Sequence, residues 1–564
     1  MDYQPRLEDI HQLLMGVLDA PEQLQTLPPY AEVDAALMQQ VLEEAGKFVG
    51  SAIAPLQRVG DETGARFGAG QVTMPPGFRA AYQAFWQAGW PALACAPEDG
   101  GQGLPAVLEA VLYEMLSAAN HGWTMAPGLL HGAYECLKHH GSEELKTRYL
   151  EKIATGEWLA TMCLTEPQAG SDLGLVRTKA APQADGSHLV SGGKIFISGG
   201  EHDLSDNIVH FVLARLPDAP PGPKGLSLFL APKFLPDGRR NGVVCERIEE
   251  KMGLHGSPTC ALRFDDATGW LVGEPHRGLN AMFVMMNAAR LHVGLQGIAL
   301  LEAAWQKARG YAQERRQMRA PGATQTSLIQ DHPAILRILT TQRAWIDGGR
   351  LLAYRTAIEL DMLKHHPGAA RRESAQRWCS LVTPVLKAAW TNQGFHGASA
   401  CLQVFGGHGY VREWGIEQIV RDARVTMIYE GSNEIQAIDL LLRKVLPDGG
   451  AALGALFDQL SAEDTLPPAV LQRFEQLRSL TVRLARAASY RADLPYWVAD
   501  DFLQATALAL LGWAGARIGA GLPHWLAPAR ALRTWVLPEF ALRLQIIEQQ
   551  LNDTETGAPA PAAA

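Results

Sequence analysis

Residues 7–156 are long stretches rich in Ala, Leu, Glu and Gln, broken at Pro28-Pro29, at Pro75-Pro76 and at Pro97-Glu98-Asp99-Gly100-Gly101-Gln102-Gly103. That pattern predicts a helical bundle over residues 1–156. The pattern then changes: short β-rich runs at 207–213, 226–230 and 242–248 alternate with clusters of Gly, Pro and Asp, which predicts a small β domain over 157–275. Helical spacing returns with Leu291, Leu295, Ile298, Leu301, Trp305, Ala308 and Ala312, each three or four residues after the last and so on one helix face. A second bundle is expected over 276–446, closed by the break Leu446-Pro447-Asp448-Gly449-Gly450. A further Ala- and Leu-rich helical domain follows over 447–553, and residues 554–564 read as a flexible tail. No short repeat and no sustained heptad run is present. The expected fold is mainly α with a central β domain: an N-terminal helical bundle, a small β-barrel or sandwich, a C-terminal four-helix bundle and an extra helical domain. Clefts between such domains are common ligand sites.

The 564 residues are 47% apolar and 19% charged, which fits a globular chain with a large core and several domains. Fifty basic against 59 acidic side chains, a formal −9, give no uniform positive field for a polyphosphate backbone, so a nucleic-acid partner is not expected. Seven scattered cysteines without a C-x-x-C pair point to neither a disulfide framework nor a metal site. The N-terminal residues lack a secretory pattern and no stretch keeps eighteen uncharged apolar residues; the expectation is a cytoplasmic protein with no membrane span.

Three segments carry candidate chemistry. Met162-Cys163-Leu164-Thr165-Glu166-Pro167-Gln168-Ala169-Gly170-Ser171-Asp172 leaves a β-like run through a Pro/Gly turn that would expose backbone N–H groups and hydroxyls. Leu402-Gln403-Val404-Phe405-Gly406-Gly407-His408-Gly409-Tyr410 is followed, some twenty residues on, by Met427-Ile428-Tyr429-Glu430-Gly431-Ser432-Asn433-Glu434-Ile435-Gln436. In this order the segments resemble those of the acyl-CoA dehydrogenases over roughly residues 30–446. The region beyond 447 resembles the long branch of that family that includes methylthiopropionyl-CoA dehydrogenases.

The resemblance implies FAD-dependent α,β-dehydrogenation of an acyl-CoA thioester. That reaction needs a base for the α proton, an acceptor for the β hydride and donors for charge on the thioester oxygen. No side chain accepts a hydride well, so a flavin is implied. Glu430 is the candidate base, because its Ile-Tyr-Glu-Gly context would desolvate the carboxyl and raise its pKa; Gly431 leaves room for substrate. A helix N-terminal carboxylate held by local N–H groups is the alternative reading of Glu430. Some members carry the base on the helix that here reads Asn287-Ala288-Ala289-Arg290, and the corresponding Ala289 has no proton acceptor. Asn287 and Arg290 are then expected on the substrate side.

By the same resemblance, Met162, Leu164 and Thr165 would contact the flavin and Ser171 would lie near the ligand's pantetheine or phosphate. Phe196, Ile197 and Ser198 would face the ring from the β domain. Arg315, with Gln317 beside it, would reach the FAD diphosphate of a neighbouring subunit, and Gln403, Gly406 and Gly407 would approach the same cofactor. A homodimer or homotetramer is therefore expected, with an electron-transfer flavoprotein as redox partner. Ser432 and Glu434 occupy flavin-contacting positions after the base. The chain departs from the family at Arg316-Gln317-Met318-Arg319 and at Pro333, which cannot donate an N–H. His255, in a Gly-rich turn, reads as structural, and Met282, Phe283, Met285 and Met286 read as helix core with one or two at the acyl channel.

The alternative is a flavin-containing, DNA-binding stress protein of the same fold with little dehydrogenase activity. Residues 447–564 carry nine arginines, no lysine and twelve acidic side chains, net −3. Arg473, Arg478, Arg483 and Arg486 are the only candidate basic stripe, and a solvated face is the simpler account of them.

Overall fold

The computed structural model describes residues 3–463 and 465–555, with the side chains of Asn287, Thr554 and Glu555 outside that description. Nearly all of the expected tail, 554–564, therefore lies outside the described residues. The chain is mainly helical with one large sheet, and it divides into two compact units. One unit comprises Lys47–Glu109 and Met115–His292; the other comprises Met1–Gly46, Ala110–Glu114 and Val293–Ala564. These units cut across the sequence blocks, since the first helical block contributes to both and the appended C-terminal region joins the bundle before it.

The β strands lie in the first unit. A short hairpin, β1 (Arg66–Gly68) with β2 (Gln71–Thr73), stands apart from a seven-stranded sheet. That sheet contains β3 (Leu159–Cys163), β4 (Lys179–Pro182), β5 (His188–Ser198), β6 (Ile208–Arg215), β7 (Leu226–Pro232), β8 (Val243–Ile248) and β9 (Thr259–Val272). The pairings β6–β4, β4–β5, β5–β9, β9–β7 and β7–β6 form a ring, which is the barrel-like closure expected from sequence. β3 adds to β6 in parallel and β8 to β9 antiparallel. β6 and β7 are buried along almost their whole length, so they read as continuous apolar runs and not as alternating ones. The helices Phe78–Gln87, Leu130–His140 and Glu143–Ala154 complete the unit.

The second unit is helical. Leu291 through Ala312 lie on the helix Gly278–Glu314, and the residues of the predicted stripe from Leu295 to Ala312 are buried here. That helix is long and apolar enough to cross a bilayer by length and composition, and 59% of the qualifying window is buried inside the protein. At the heart of the unit Arg350 is fully buried. It donates to Glu114 at 2.7 Å and pairs with Glu302 at 3.2 Å, while Tyr354 Oη donates to Glu114 at 2.5 Å. Each buried charge thus has an opposite partner, the condition under which burial of ions is tolerated.

The C-terminal helices Ala451–Glu463, Pro468–Ala488, Leu494–Gly521 and Glu539–Glu555 are fastened to this core. Arg355 makes a two-pronged pair with Glu463 at 2.5 and 2.7 Å, and Trp525 Nε1 donates to Asp347 at 2.7 Å. The apolar run 505–516 is the buried middle of the helix Leu494–Gly521, which explains why it is apolar on every face.

Candidate active site

Glu430 lies in a short irregular segment between the turn Val425–Met427 and the helix Asn433–Ile438. Its φ is +54°, left-handed backbone that a side chain bearing a Cβ adopts only at a cost, and Gly431 follows at +84°. A Cβ at position 431 would stand 2.8 Å from the Gln436 amide, so glycine is required there on two counts. The strained residue is held from both sides. On one side Tyr429 Oη donates to Gln296 Oε1 at 2.5 Å. On the other, Gln436 Nε2 donates to the Glu430 carbonyl at 3.2 Å and Ser432 caps the following helix.

Asn433 anchors the segment to the bundle. Its carboxamide oxygen accepts from the buried Lys387 Nζ at 2.9 Å and from Thr391 Oγ1 at 3.1 Å, and its Nδ2 donates to the Ala388 carbonyl at 3.1 Å. Pro384 lies inside the helix Ala369–Val385, and the turn after it, Leu386–Trp390, widens to π geometry. Glu430 is half-buried and Ile428 is 54% exposed, so the apolar context expected to dry the carboxyl is only partly assembled. Glu434 is exposed, and the Ser432 hydroxyl holds its carboxyl below the usual range.

Elsewhere in the same unit, the end of the helix Gly278–Glu314 meets the segment after the helix Thr391–Val404. Tyr311 stacks on Phe405 with ring centroids 4.3 Å apart and its hydroxyl is 2.9 Å from His408 Nδ1; His408 in turn stacks on Trp414 at 4.7 Å. Arg315, Gln403, Gly406 and Gly407 flank this aromatic cluster, and all four are exposed. The loop after Arg315 folds back on itself. Gln317 N donates to Ser327 O, Ser327 N donates to Met318 O, and Ile329 N donates to Arg315 O. Gln317 is exposed as well.

In the β unit, β3 ends at Cys163 and the turn that follows is built around Glu166. Its carboxylate accepts from Thr178 Oγ1 at 2.6 Å, from the N–H groups of Arg177 and Thr178, and from Lys194 Nζ at 2.9 Å. Both ionic side chains are almost fully buried. Burial pushes the carboxyl up, but the Lys194 ammonium and the hydrogen bonds outweigh it and hold the pKa at about 2. Lys194 Nζ also donates to Leu164 O at 3.0 Å, and Ile195 N donates to Thr165 O at 2.9 Å. Leu164 and Thr165 are thereby brought against Phe196, Ile197 and Ser198.

The three β5 residues do not present alike. Phe196 is 61% exposed at φ +60°, a second strained non-glycine residue, and Ser198 is half-buried. Ile197 is 2% exposed, next to an irregularity in the β5–β9 pairing. Met162 is half-buried on β3 and Ser171 is exposed on the turn.

Leu129, Met162, Met285, Ala288, Ala289 and His292, together with Gly128 and Gly132, line a small, partly open pocket in this unit. Sequence reasoning had marked Met162 and Ala289 and had allowed Met285 at an acyl channel, but it missed Gly128, Leu129, Gly132 and His292. Arg290 is half-buried on the same helix, and the side chain of Asn287 is outside the described residues. His255 is structural, as expected: Nδ1 lies 2.9 Å from Asp61 Oδ1 and Nε2 lies 2.9 Å from Lys251 O. Among the described residues no cluster of His, Cys, Asp and Glu could hold a metal ion, and all seven cysteines are buried and free. In the C-terminal region Arg478 pairs with Asp458 at 2.5 Å, Arg483 with Glu548 at 3.5 Å, and Arg473 lies over the Phe540 ring, which leaves little of a basic stripe.

Comparison with known proteins gives a consistent result. Three family profiles match in order: acyl-CoA dehydrogenase N-terminal domain at residues 37–157, middle domain at 161–267 and C-terminal domain at 276–445. The chain is 43% identical over 510 residues to 3-methylmercaptopropionyl-CoA dehydrogenase of Ruegeria pomeroyi, spanning 88% of this chain and 85% of that protein. It is 37% identical over 455 residues to the broad-specificity linear acyl-CoA dehydrogenase FadE5 of Mycobacterium tuberculosis, spanning 76% and 73%. An acyl-CoA dehydrogenase complexed with FAD from Bacillus anthracis shares the fold at TM-score 0.74 and 20% identity, over 97% of this chain and 92% of that one.

Two stability measurements check this geometry. Glu430→Asn keeps a residue type that tolerates left-handed backbone, so urea unfolding should show unchanged stability or a gain of up to about 1–2 kcal/mol; a loss of about 1 kcal/mol or more would contradict the strain. Lys194→Met strips Glu166 of its buried cation and should cost about 3–5 kcal/mol, whereas a loss below about 1 kcal/mol would show that the pair does not hold the turn.

Proposed function

The chain belongs to the acyl-CoA dehydrogenase family, and from that premise we propose that it oxidises the α,β bond of an acyl-CoA thioester with Glu430 as the base. As a member it is an oxidoreductase acting on CH–CH groups. The observation that carries the role of Glu430 is its conformation: a carboxylate at φ +54°, pinned through Tyr429, Asn433 and Gln436. Strain of this kind persists only where surrounding contacts over-determine it, and it concentrates at functional sites. A helix N-terminal carboxylate would not need that backbone. Ser432, not Glu430, caps the helix.

The proposed cofactor is FAD, which when bound supplies a hydride acceptor. The residues suit it. Phe196 offers an exposed aromatic face beside the Leu164-Thr165 backbone, and Arg315 offers an exposed guanidinium of the type that pairs with diphosphate. At Gly407 a Cβ would meet nothing within 4 Å, so the backbone there is open to close approach. In this reading Thr165 and Ser198 orient the ring, Ser171 orients the CoA moiety, and Arg315, Gln317, Gln403, Gly406 and Gly407 hold the cofactor across a subunit interface. Gly431 and Arg290 place the thioester, and Glu430 removes the α proton. Its half-buried carboxyl would be dried by the incoming acyl chain, which raises its basicity when the substrate is in place.

A homo-oligomer, an electron-transfer flavoprotein as acceptor and a cytoplasmic location complete the proposal. Seven buried free thiols support a reducing compartment. Glu430→Gln should purify yellow and lose about 10²- to 10⁴-fold of its acyl-CoA-dependent flavin reduction under anaerobic conditions; near-normal reduction would reject Glu430 as the base.

A further inference from the structure

Lys387 is fully buried in the helical unit, on the turn Leu386–Trp390 that joins the helix Ala369–Val385 to the helix Thr391–Val404. An ammonium out of contact with solvent is tolerated only while its hydrogens meet acceptors, so those acceptors fix its direction. One of them is Asn433 Oδ1, at 2.9 Å. Asn433 is itself buried, and its amide can face one way only. Lys387 has no lone pair to offer, so the amide oxygen turns to Nζ and Nδ2 turns to the Ala388 carbonyl at 3.1 Å. Thr391 Oγ1 stands 3.1 Å from the same oxygen, but its one hydrogen is shared with the Lys387 carbonyl at 2.6 Å. The ammonium is therefore the steadier donor to Asn433.

This contact differs in kind from those of Ser432 and Gln436. Ser432 caps the six-residue helix Asn433–Ile438 and Gln436 lies within it, so both shape the segment around Glu430 and would move with that helix. Asn433 instead ties the first residue of the helix to a turn of the bundle. Only Gly431 and Ser432 separate Glu430 from this fixed point. Glycine adopts many conformations, so Gly431 at φ +84° does not hold the carboxylate's direction unless both ends of the segment are held. Tyr429 on Gln296 secures one end, and Asn433 on Lys387 secures the other. The Lys387 charge also reaches this segment: the Glu434 carboxyl, lowered first by the Ser432 hydroxyl, is lowered further by that ammonium.

We propose that Lys387 is a positioning residue for the base: through Asn433 it fixes where Glu430 stands, so that loss of its ammonium slows removal of the α proton while flavin and thioester still bind. The inference rests on the dehydrogenase reading above.

The test measures deuterium uptake at the α carbon in D2O with the oxidised, flavin-loaded protein, first across butyryl-, octanoyl- and palmitoyl-CoA and then with whichever of these the wild type exchanges fastest. Lys387→Met and Asn433→Leu should each slow exchange about 10- to 100-fold, the scale of a small misplacement of a catalytic group. Flavin content and the thioester concentration at half-maximal rate should stay within about threefold, since binding is not what is lost. The double variant should be within about threefold of the slower single one, because residues that act through one contact are not additive. Wild-type exchange in the single variants overturns the positioning role. Loss of flavin or thioester affinity in step with the exchange rate overturns it in favour of general disordering. Effects that multiply in the double variant overturn the route through Asn433. Should Lys387→Met fail to fold, Lys387→Gln takes its place in the same comparisons. A wild-type protein that exchanges with none of the three thioesters, or exchange that survives Glu430→Gln, overturns instead the reading on which the inference rests.

Discussion

Glu430 is held in a backbone conformation that costs energy, and the surrounding contacts exist to meet that cost. Three side-chain anchors, Tyr429 to Gln296, Asn433 to Lys387 and Ala388, and Gln436 to the Glu430 carbonyl, fix the residues on either side of the carboxylate. The anchors in turn depend on a bundle tight enough to bury Lys387 completely. One carboxylate's aim thus draws on helices far apart in sequence, and that is why a proton acceptor can be presented without the mobility of an ordinary loop.

The β unit solves a parallel problem with charge. A turn containing Pro167 and Gly170 has little intrinsic rigidity, and Glu166 supplies it by taking hydrogen bonds from Arg177 and Thr178, just before β4, and an ion pair from Lys194 on β5. The same lysine holds Leu164, so the segment expected to meet a flavin is tied to the strand that carries Phe196. Phe196 itself is strained and exposed, a combination with no packing benefit inside the chain. Glu430 and Phe196 are two of eight described non-glycine residues with positive φ, and the two with a proposed chemical role.

Much of this was readable from sequence because it depends on short-range spacing. The stripe from Leu295 to Ala312 forms a buried helix face, and the runs at 207–213, 226–230 and 242–248 fall on β6, β7 and β8 within a residue or two at their ends. Glu430 and Phe196 could be singled out because their motifs are local. What stayed hidden needs contacts between distant residues: Lys194 with Glu166, Asn433 with Lys387, and the pocket wall made by Gly132, Met285 and His292. Two clues could have pointed to the pocket: paired small residues at Gly128 and Gly132 on one helical run, and His292 on an otherwise apolar helix face.

The central claim is that the Glu430 carboxylate takes a proton from the carbon next to the thioester. Its most direct measurement is deuterium incorporation at that carbon when the acyl-CoA is held with the oxidised protein in D2O without an electron acceptor, followed by mass spectrometry. Incorporation that is rapid with Glu430 present and absent when glutamine replaces it is the result this account requires. Equal incorporation by the two proteins would contradict it and would place the base elsewhere.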